Sequence, residues 1–326
     1  MKKALIFGIS GQDGAYLARL LLEEGYQVAG TSRDAQMSSF RNLAALGLRD
    51  RLALYSVTLT DFRSVLTVLT KVEPDEIYHL AGQSSVGLSF EQPVETFFSI
   101  GVGTLNLLEA VRFLGRPVRL YNASSSDCFG DTGGEPATEV TPFSPRSPYA
   151  VAKAAAHFEV ANYREAYNLF ACSGILFNHE SPLRPPRFVT QKIVAAACRI
   201  AAGSKERLRL GNIEVARDWG YAPEYVKAMW AMLQQDAPED YVIATGQTIT
   251  LREFTAEAFA AAGLDWRDHV DVDPSLFRPA DIAVSRANPA KAHARLGWRA
   301  TLGPGEVARA MVAHTRNHHA SENTAS

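Results

Sequence analysis

Along this chain, short apolar runs alternate with stretches whose apolar positions recur at helical spacing, and polar, glycine-marked turns separate the two. Residues 4–7 read as a buried strand, residues 15–26 (AYLARLLLEEGY) as a helix, and residues 27–31 as a second strand. Apolar runs at 51–57, 76–80 and 118–123 alternate with helical patterns at 61–72 and 94–114. A proline-opened helix ending near residue 167, a strand at 169–176 and a final amphipathic helix over 304–316 complete the clear elements. Such alternation predicts an α/β fold, a doubly wound parallel sheet with right-handed crossovers.

The first strand runs into GISGQDG and then a helix, the context in which three spaced glycines bind a dinucleotide. Gly8 makes the turn, Gly11 admits the pyrophosphate, Gly14 packs helix on strand, and Gln12 and Asp13 lie in the same turn. The expected arrangement is a Rossmann domain over 1–177, and a smaller α/β domain over 178–320 with some segments returning to the first. A polar, disordered tail is expected at 321–326. The second strand ends in Thr31, Ser32 and Arg33 rather than in an acid, which favours a 2′-phosphate and hence NADP; Asp34 leaves NAD open. The loop LAGQSSVGLS, beginning at Leu80 and Ala81, is small and polar, as a loop beneath a cofactor would be.

The 326 residues carry a formal net charge of -2, which gives no electrostatic reason to expect nucleic acid or a membrane surface as partner. No apolar run reads as transmembrane, and residues 4–7 read as a strand rather than an export signal. Cys128, Cys172 and Cys198 are scattered without metal-ligand spacing, so the expectation is a reducing cytoplasm with neither zinc nor disulfides. His318 and His319 lie in the polar tail and read as solvated rather than metal-binding.

Tyr149 precedes Lys153 by four residues, so on a helix they share a face one turn apart. An ammonium beside a phenol stabilises the phenolate and is expected to lower the tyrosine pKa from its usual value of about 10. The pair is a candidate acid/base for a sugar hydroxyl whose carbon loses hydride.

The combination of spaced glycines, a serine-rich fifth strand end and YxxxK resembles the extended short-chain dehydrogenase/reductase superfamily. The strings GQDGAYLA, TPFSPRSPYAVAK, NYREAY, GILFNHESPLR, RDWG and FRPA resemble the GDP-mannose 4,6-dehydratase family, with similarity over nearly the whole chain. The resemblance implies oxidation at C4 of a GDP-hexose, loss of water across C5 and C6, and return of hydride to C6 without net use of NADP. By position it implies Tyr149 as base, Lys153 as its partner, Ser125 at the C4 oxygen and Asp127 as the acid acting at C5 and C6. It puts Leu80, Ala81 and His179 beside the cofactor, and Ser85, Asn178, Val189, Lys192, Arg217, Arg278 and Asp281 beside the GDP-sugar. It also implies a homodimer or homotetramer.

The sequence departs from the family at SSSD, residues 124–127, where the dehydratases read Ser-Thr-Ser-Glu. Ser125 and Asp127 resemble instead a related C4 reductase, so a C4 oxidoreductase or epimerase acting on a GDP-hexose or GDP-heptose stands as the alternative. The loop SRDAQMSSF also lacks the paired arginines that help the family's tetramers form.

Overall fold

The computed structural model describes the backbone of residues 1–277 and 280–324, with side chains through Asn317. Each apolar run expected in the first half forms a strand: β1 (Lys3–Phe7), β2 (Gln27–Ser32), β3 (Ala53–Ser56), β4 (Glu76–His79), β5 (Arg119–Ser125) and β6 (Phe170–Leu176). The helices that accompany them are α1 (Gln12–Glu23), α2 (Arg41–Ala45), α3 (Phe62–Val72), α4 (Val86–Glu91), α5 (Pro93–Phe97), α6 (Gly103–Leu114) and α7 (Pro148–Tyr167). Beyond them come β7 (Asn178–Glu180), α8 (Val189–Ala201), β8 (Leu208–Leu210), β9 (Ala216–Arg217), β10 (Trp219–Tyr221) and α9 (Ala222–Leu233). The chain ends with β11 (Tyr241–Ile243), β12 (Ile249–Thr250), α10 (Leu251–Ala261), β13 (Val270–Val272), α11 (Ala290–Leu296) and α12 (Pro304–Thr324).

The main sheet has seven parallel strands in the order β11-β6-β5-β4-β1-β2-β3. Its central strands are buried almost throughout, as a sheet covered on both faces requires. Packing on one face joins α1 and α9 through residues such as Leu17, Leu21, Val226 and Met229; the other face carries α3, α6 and α7. β11 and α9 come from beyond residue 177 and pack in this layer system; β11 covers what would otherwise be the bare edge of β6. A second apolar core, with Ile193, Phe254, Phe259 and Met311, joins α8, α10 and α12.

One expectation is corrected. A π-helical turn, Phe98–Val102, fuses α5 to α6, and the resulting 22-residue stretch Pro93–Leu114, with an 18-residue window of mean hydropathy 1.4, is long and apolar enough to cross a membrane. Here 44% of that window is buried, and the stretch packs against α3 and α7, so its apolar character serves packing in this fold. The last helix runs from Pro304 to Thr324, and neither glycine nor proline follows Gly305 to interrupt it. The side chains of His318 and His319, and residues 325–326, lie outside the described residues.

Candidate active site

A cleft of about 440 Å³ opens at the carboxyl ends of the sheet strands, where open α/β sheets bind ligands. Its floor is the end of β5. Ser125 ends that strand, and its Oγ accepts from the Asp127 backbone N–H at 3.3 Å, starting the 3₁₀ turn Ser126–Phe129 that presents Asp127 to the cleft. Opposite, Ser147 caps α7 by accepting from Ala150 N–H at 3.1 Å, with Pro148 in the first turn. The helix start is thereby fixed, and Tyr149 and Lys153 face the cleft one turn apart. Lys153 is buried and donates through Nζ to the Ala123 carbonyl at 2.7 Å.

The electrostatics reverse one expectation. The Tyr149 phenol is pushed up, not down: burial acts first, the neighbouring Asp127 carboxylate adds to it, and Ser125 close by pulls more weakly the other way. Burial also lowers Lys153 to about 8, with Cys128 and Asp13 opposing. In the free protein Tyr149 therefore holds its proton, and Lys153 carries a charge that begins to be lost just above neutrality. The cost of burial, which no local spacing records, decides the direction of both shifts.

The glycine turn fits a dinucleotide. Gly8 has φ +86°, and a Cβ there would meet Ala81 N at 2.8 Å; a Cβ on Gly14 would meet the Gly8 carbonyl at 2.6 Å. Gly11 caps α1 without any side-chain hydrogen bond, leaving the helix N-terminus open to phosphate. Gln12 does not line the cleft: its Nε2 donates to the His179 carbonyl at 3.0 Å and its Oε1 accepts from Ser181 Oγ at 2.7 Å. Asp13 does line the cleft, with Oδ2 2.9 Å from His179 Nε2 and Oδ1 buried without a partner among the described residues. Burial works to raise Asp13, but His179 beside it, helped by Arg184, holds it below the usual carboxylate range. His179 stacks on Tyr225 with ring centroids 4.6 Å apart, so GQDG and NHES form one clasp joining α1 to β7.

Leu80, Ala81, Ser85, Asn178, Val189, Lys192, Arg217 and Asp281 all line this same cleft. Ser85 also caps α4 by accepting from Leu88 N–H at 3.3 Å. Lys192 Nζ donates to the Arg209 carbonyl at 2.9 Å. Arg217 and Asp281, both expected at the substrate, face each other at 3.1 Å. Arg278 lies outside the described residues. Arg33 is exposed at the end of β2, outside the cleft, and the Asp34 carboxylate is engaged by Gln36 N–H at 2.9 Å and Met37 N–H at 3.0 Å.

Sequence reasoning passed over Arg184, which lines the cleft, pairs with Glu180 at 2.8 Å and lies 4.5 Å from the centre of the Phe188 ring. The four-residue spacing to Glu180 in ESPLR was the available signal. Arg146, Arg187 and Gln83 were also missed.

The family described as GDP-mannose 4,6 dehydratase matches residues 5–311. The Arabidopsis thaliana protein named GDP-mannose 4,6 dehydratase 1 is 46% identical over 321 residues, covering 95% of this chain and 89% of its own length. Among solved structures, a Thermus thermophilus UDP-glucose 4-epimerase in complex with NAD is similar at TM-score 0.84 and 30% identity, covering 96% of this chain and 99% of its own. RMD from Pseudomonas aeruginosa, complexed with NADPH, is similar at TM-score 0.80 and 24% identity, covering 98% and 100%, a likeness of fold.

Proposed function

Because the chain belongs to the GDP-mannose 4,6-dehydratase family, we propose that it dehydrates a GDP-hexose, most simply GDP-mannose, to GDP-4-keto-6-deoxymannose. The observation that carries this reading is one cleft lined by Ser125, Asp127, Tyr149 and Lys153 and also by Asn178, Lys192 and Arg217. A sugar over the first group and a diphosphate against the second would span it. The C4-reductase alternative is not favoured, since the relative above, similar along almost its whole length, is named a dehydratase.

A nicotinamide dinucleotide on the glycine turn supplies the chemistry of taking hydride from C4 and returning it at C6. Tyr149, after giving its own proton to solvent, receives that of the C4 hydroxyl, and the Lys153 ammonium one turn along α7 partly offsets the burial and the Asp127 charge that raise the phenol. Ser125 orients the C4 oxygen. Asp127 takes the C5 proton and assists departure of the C6 hydroxyl as water. Arg217, with its forked donors, engages the diphosphate in exchange for part of its pairing with Asp281.

NADP is the favoured dinucleotide: Arg33 stands free of the cleft at the strand end, and Asp34, which would hold a ribose diol, is committed to its own turn. The protein acts in the cytoplasm as a homodimer or homotetramer. Support for self-association is the exposure of large apolar side chains on the packed segment from α5 to α7, with Phe98 49%, Phe113 71% and Phe158 59% exposed.

The test is to incubate the purified protein with GDP-mannose and catalytic NADP⁺ and follow the nucleotide sugar by mass spectrometry. Loss of one water with the cofactor unconsumed is expected. Turnover of GDP-4-keto-6-deoxymannose with NADPH, and none of GDP-mannose, would reverse the assignment.

A further inference from the structure

Beneath Lys153 lies a polar group that the chemistry above does not use. His79 ends β4 and is only 2% exposed. It pairs in register with Asn122 of β5, so its side chain shares a sheet face with Asn122 and, two residues on, Ser124. This is the face on which α6 packs, because His79 Nε2 lies 3.1 Å from Thr104 Oγ1 of α6. The Thr104 hydroxyl already donates to the Ile100 carbonyl at 2.7 Å, so its lone pair faces His79 and Nε2 carries the hydrogen. The lone pair is then left on Nδ1, which is buried and has no partner among the described residues. Ser124 Oγ is a second buried atom without a hydrogen-bond partner there, with the Cys128 thiol nearby.

The imidazole is neutral at working pH. Burial first, then the positive charge of Lys153, pushes it down to about 3. An unmatched buried acceptor is costly and is retained only if something answers it. Lys153 is its charged neighbour. The ammonium has three N–H groups, and among the described residues Ala123 takes one. Lys153 bonds the carbonyl of Ala123, the residue next to Asn122, which pairs with His79 across β4 and β5. An unmatched acceptor and spare N–H groups therefore lie on neighbouring positions of the same strand ends, a combination that one bridging water would complete.

We propose that His79 is a positioning residue: through one ordered water between its Nδ1 and Lys153 Nζ, with Ser124 as a third partner, it holds the ammonium under Tyr149. An acceptor there also favours the charged lysine. The groups that face Lys153 are Asp13 from α1, Cys128 from the turn after β5, and His79 from β4, with Tyr149 one turn back on its own helix. Of these, His79 has no part in substrate or cofactor chemistry. The proposal rests on the dehydratase reading for its purpose but not for its test.

A high-resolution crystal structure of the protein should show solvent density within hydrogen-bond distance of both His79 Nδ1 and Lys153 Nζ. A protein group bonded to Nδ1, or a dry site, would overturn the proposal. Independently, the Lys153 titration can be followed by NMR on ¹³Cε-lysine-labelled protein without substrate. In His79→Leu the midpoint should fall from near 8 by about one pH unit, the equivalent of a roughly tenfold loss of preference for the charged form. His79→Asn, which restores an acceptor near the Nδ1 position, should keep the wild-type midpoint. An unchanged midpoint in the leucine variant refutes the role. Because neither arm uses turnover, an inactive protein on GDP-mannose would challenge the dehydratase reading and leave this result standing.

Discussion

Replacing Asp127 by Glu adds one methylene and carries the carboxylate about 1.5 Å farther into the cleft. The backbone has little freedom to make up that distance for the aspartate. The Asp127 N–H is held by Ser125 Oγ at 3.3 Å, its carbonyl accepts from Gly130 N–H at 3.2 Å, and the next carbonyl, of Cys128, accepts from Ser144 N–H at 2.8 Å. Gly130 itself sits at φ +65°, where an added Cβ would meet the Ser144 carbonyl oxygen at 2.0 Å, so the turn is pinned against the loop that leads to α7. With the frame fixed, reach is set by side-chain length, and a misplacement near 1 Å costs on the order of 100-fold in rate. Asp127→Glu should therefore speed elimination by as much as about 100-fold where that step limits turnover. The assay is water loss from GDP-mannose in single turnover, followed by mass spectrometry. An equal or slower rate in the glutamate variant, with nucleotide affinity preserved, would refute a reach-limited acid.

Tyr149→Phe should abolish turnover while leaving GDP binding by calorimetry intact; near-normal activity would remove Tyr149 from the chemistry. The Lys153 ammonium is lost as pH rises through about 8, because burial lowers its pKa, so kcat should fall on the alkaline side with a midpoint near that value, and a flat profile to pH 10 would contradict its role. Thr250 forms a capping box with Glu253 at the start of α10, accepting from Glu253 N–H at 3.1 Å. Thr250→Ala should cost about 1 kcal/mol in urea unfolding, without change in KM.

The placement of Tyr149 and Lys153 on one helix face and the glycine turn were legible because each is local: a four-residue spacing on one helix, and three glycines between a strand and its helix. The strands were legible for a similar reason, since a parallel sheet buried on both faces demands continuous apolar runs. What stayed hidden depends on distance in sequence. The bonds from Gln12 to His179 and Ser181 span 167 and 169 residues, and no periodicity announces them. β11, of three residues, is too short to read until β6 is known to need a neighbour. The direction of the Tyr149 shift was misread because spacing reports which residues are near, whereas burial and Asp127 decide the proton. Asp127 itself was legible as a departure from the family, and the pinned turn around it became visible only in three dimensions.

Hydride that leaves C4 and comes back at C6 of the same sugar is the signature of the proposed reaction. GDP-[4-²H]mannose, given to the protein with catalytic NADP⁺, should yield a 4-keto-6-deoxy product carrying deuterium at C6 by NMR. Deuterium collected in the cofactor, or a product with water retained, would contradict the assignment.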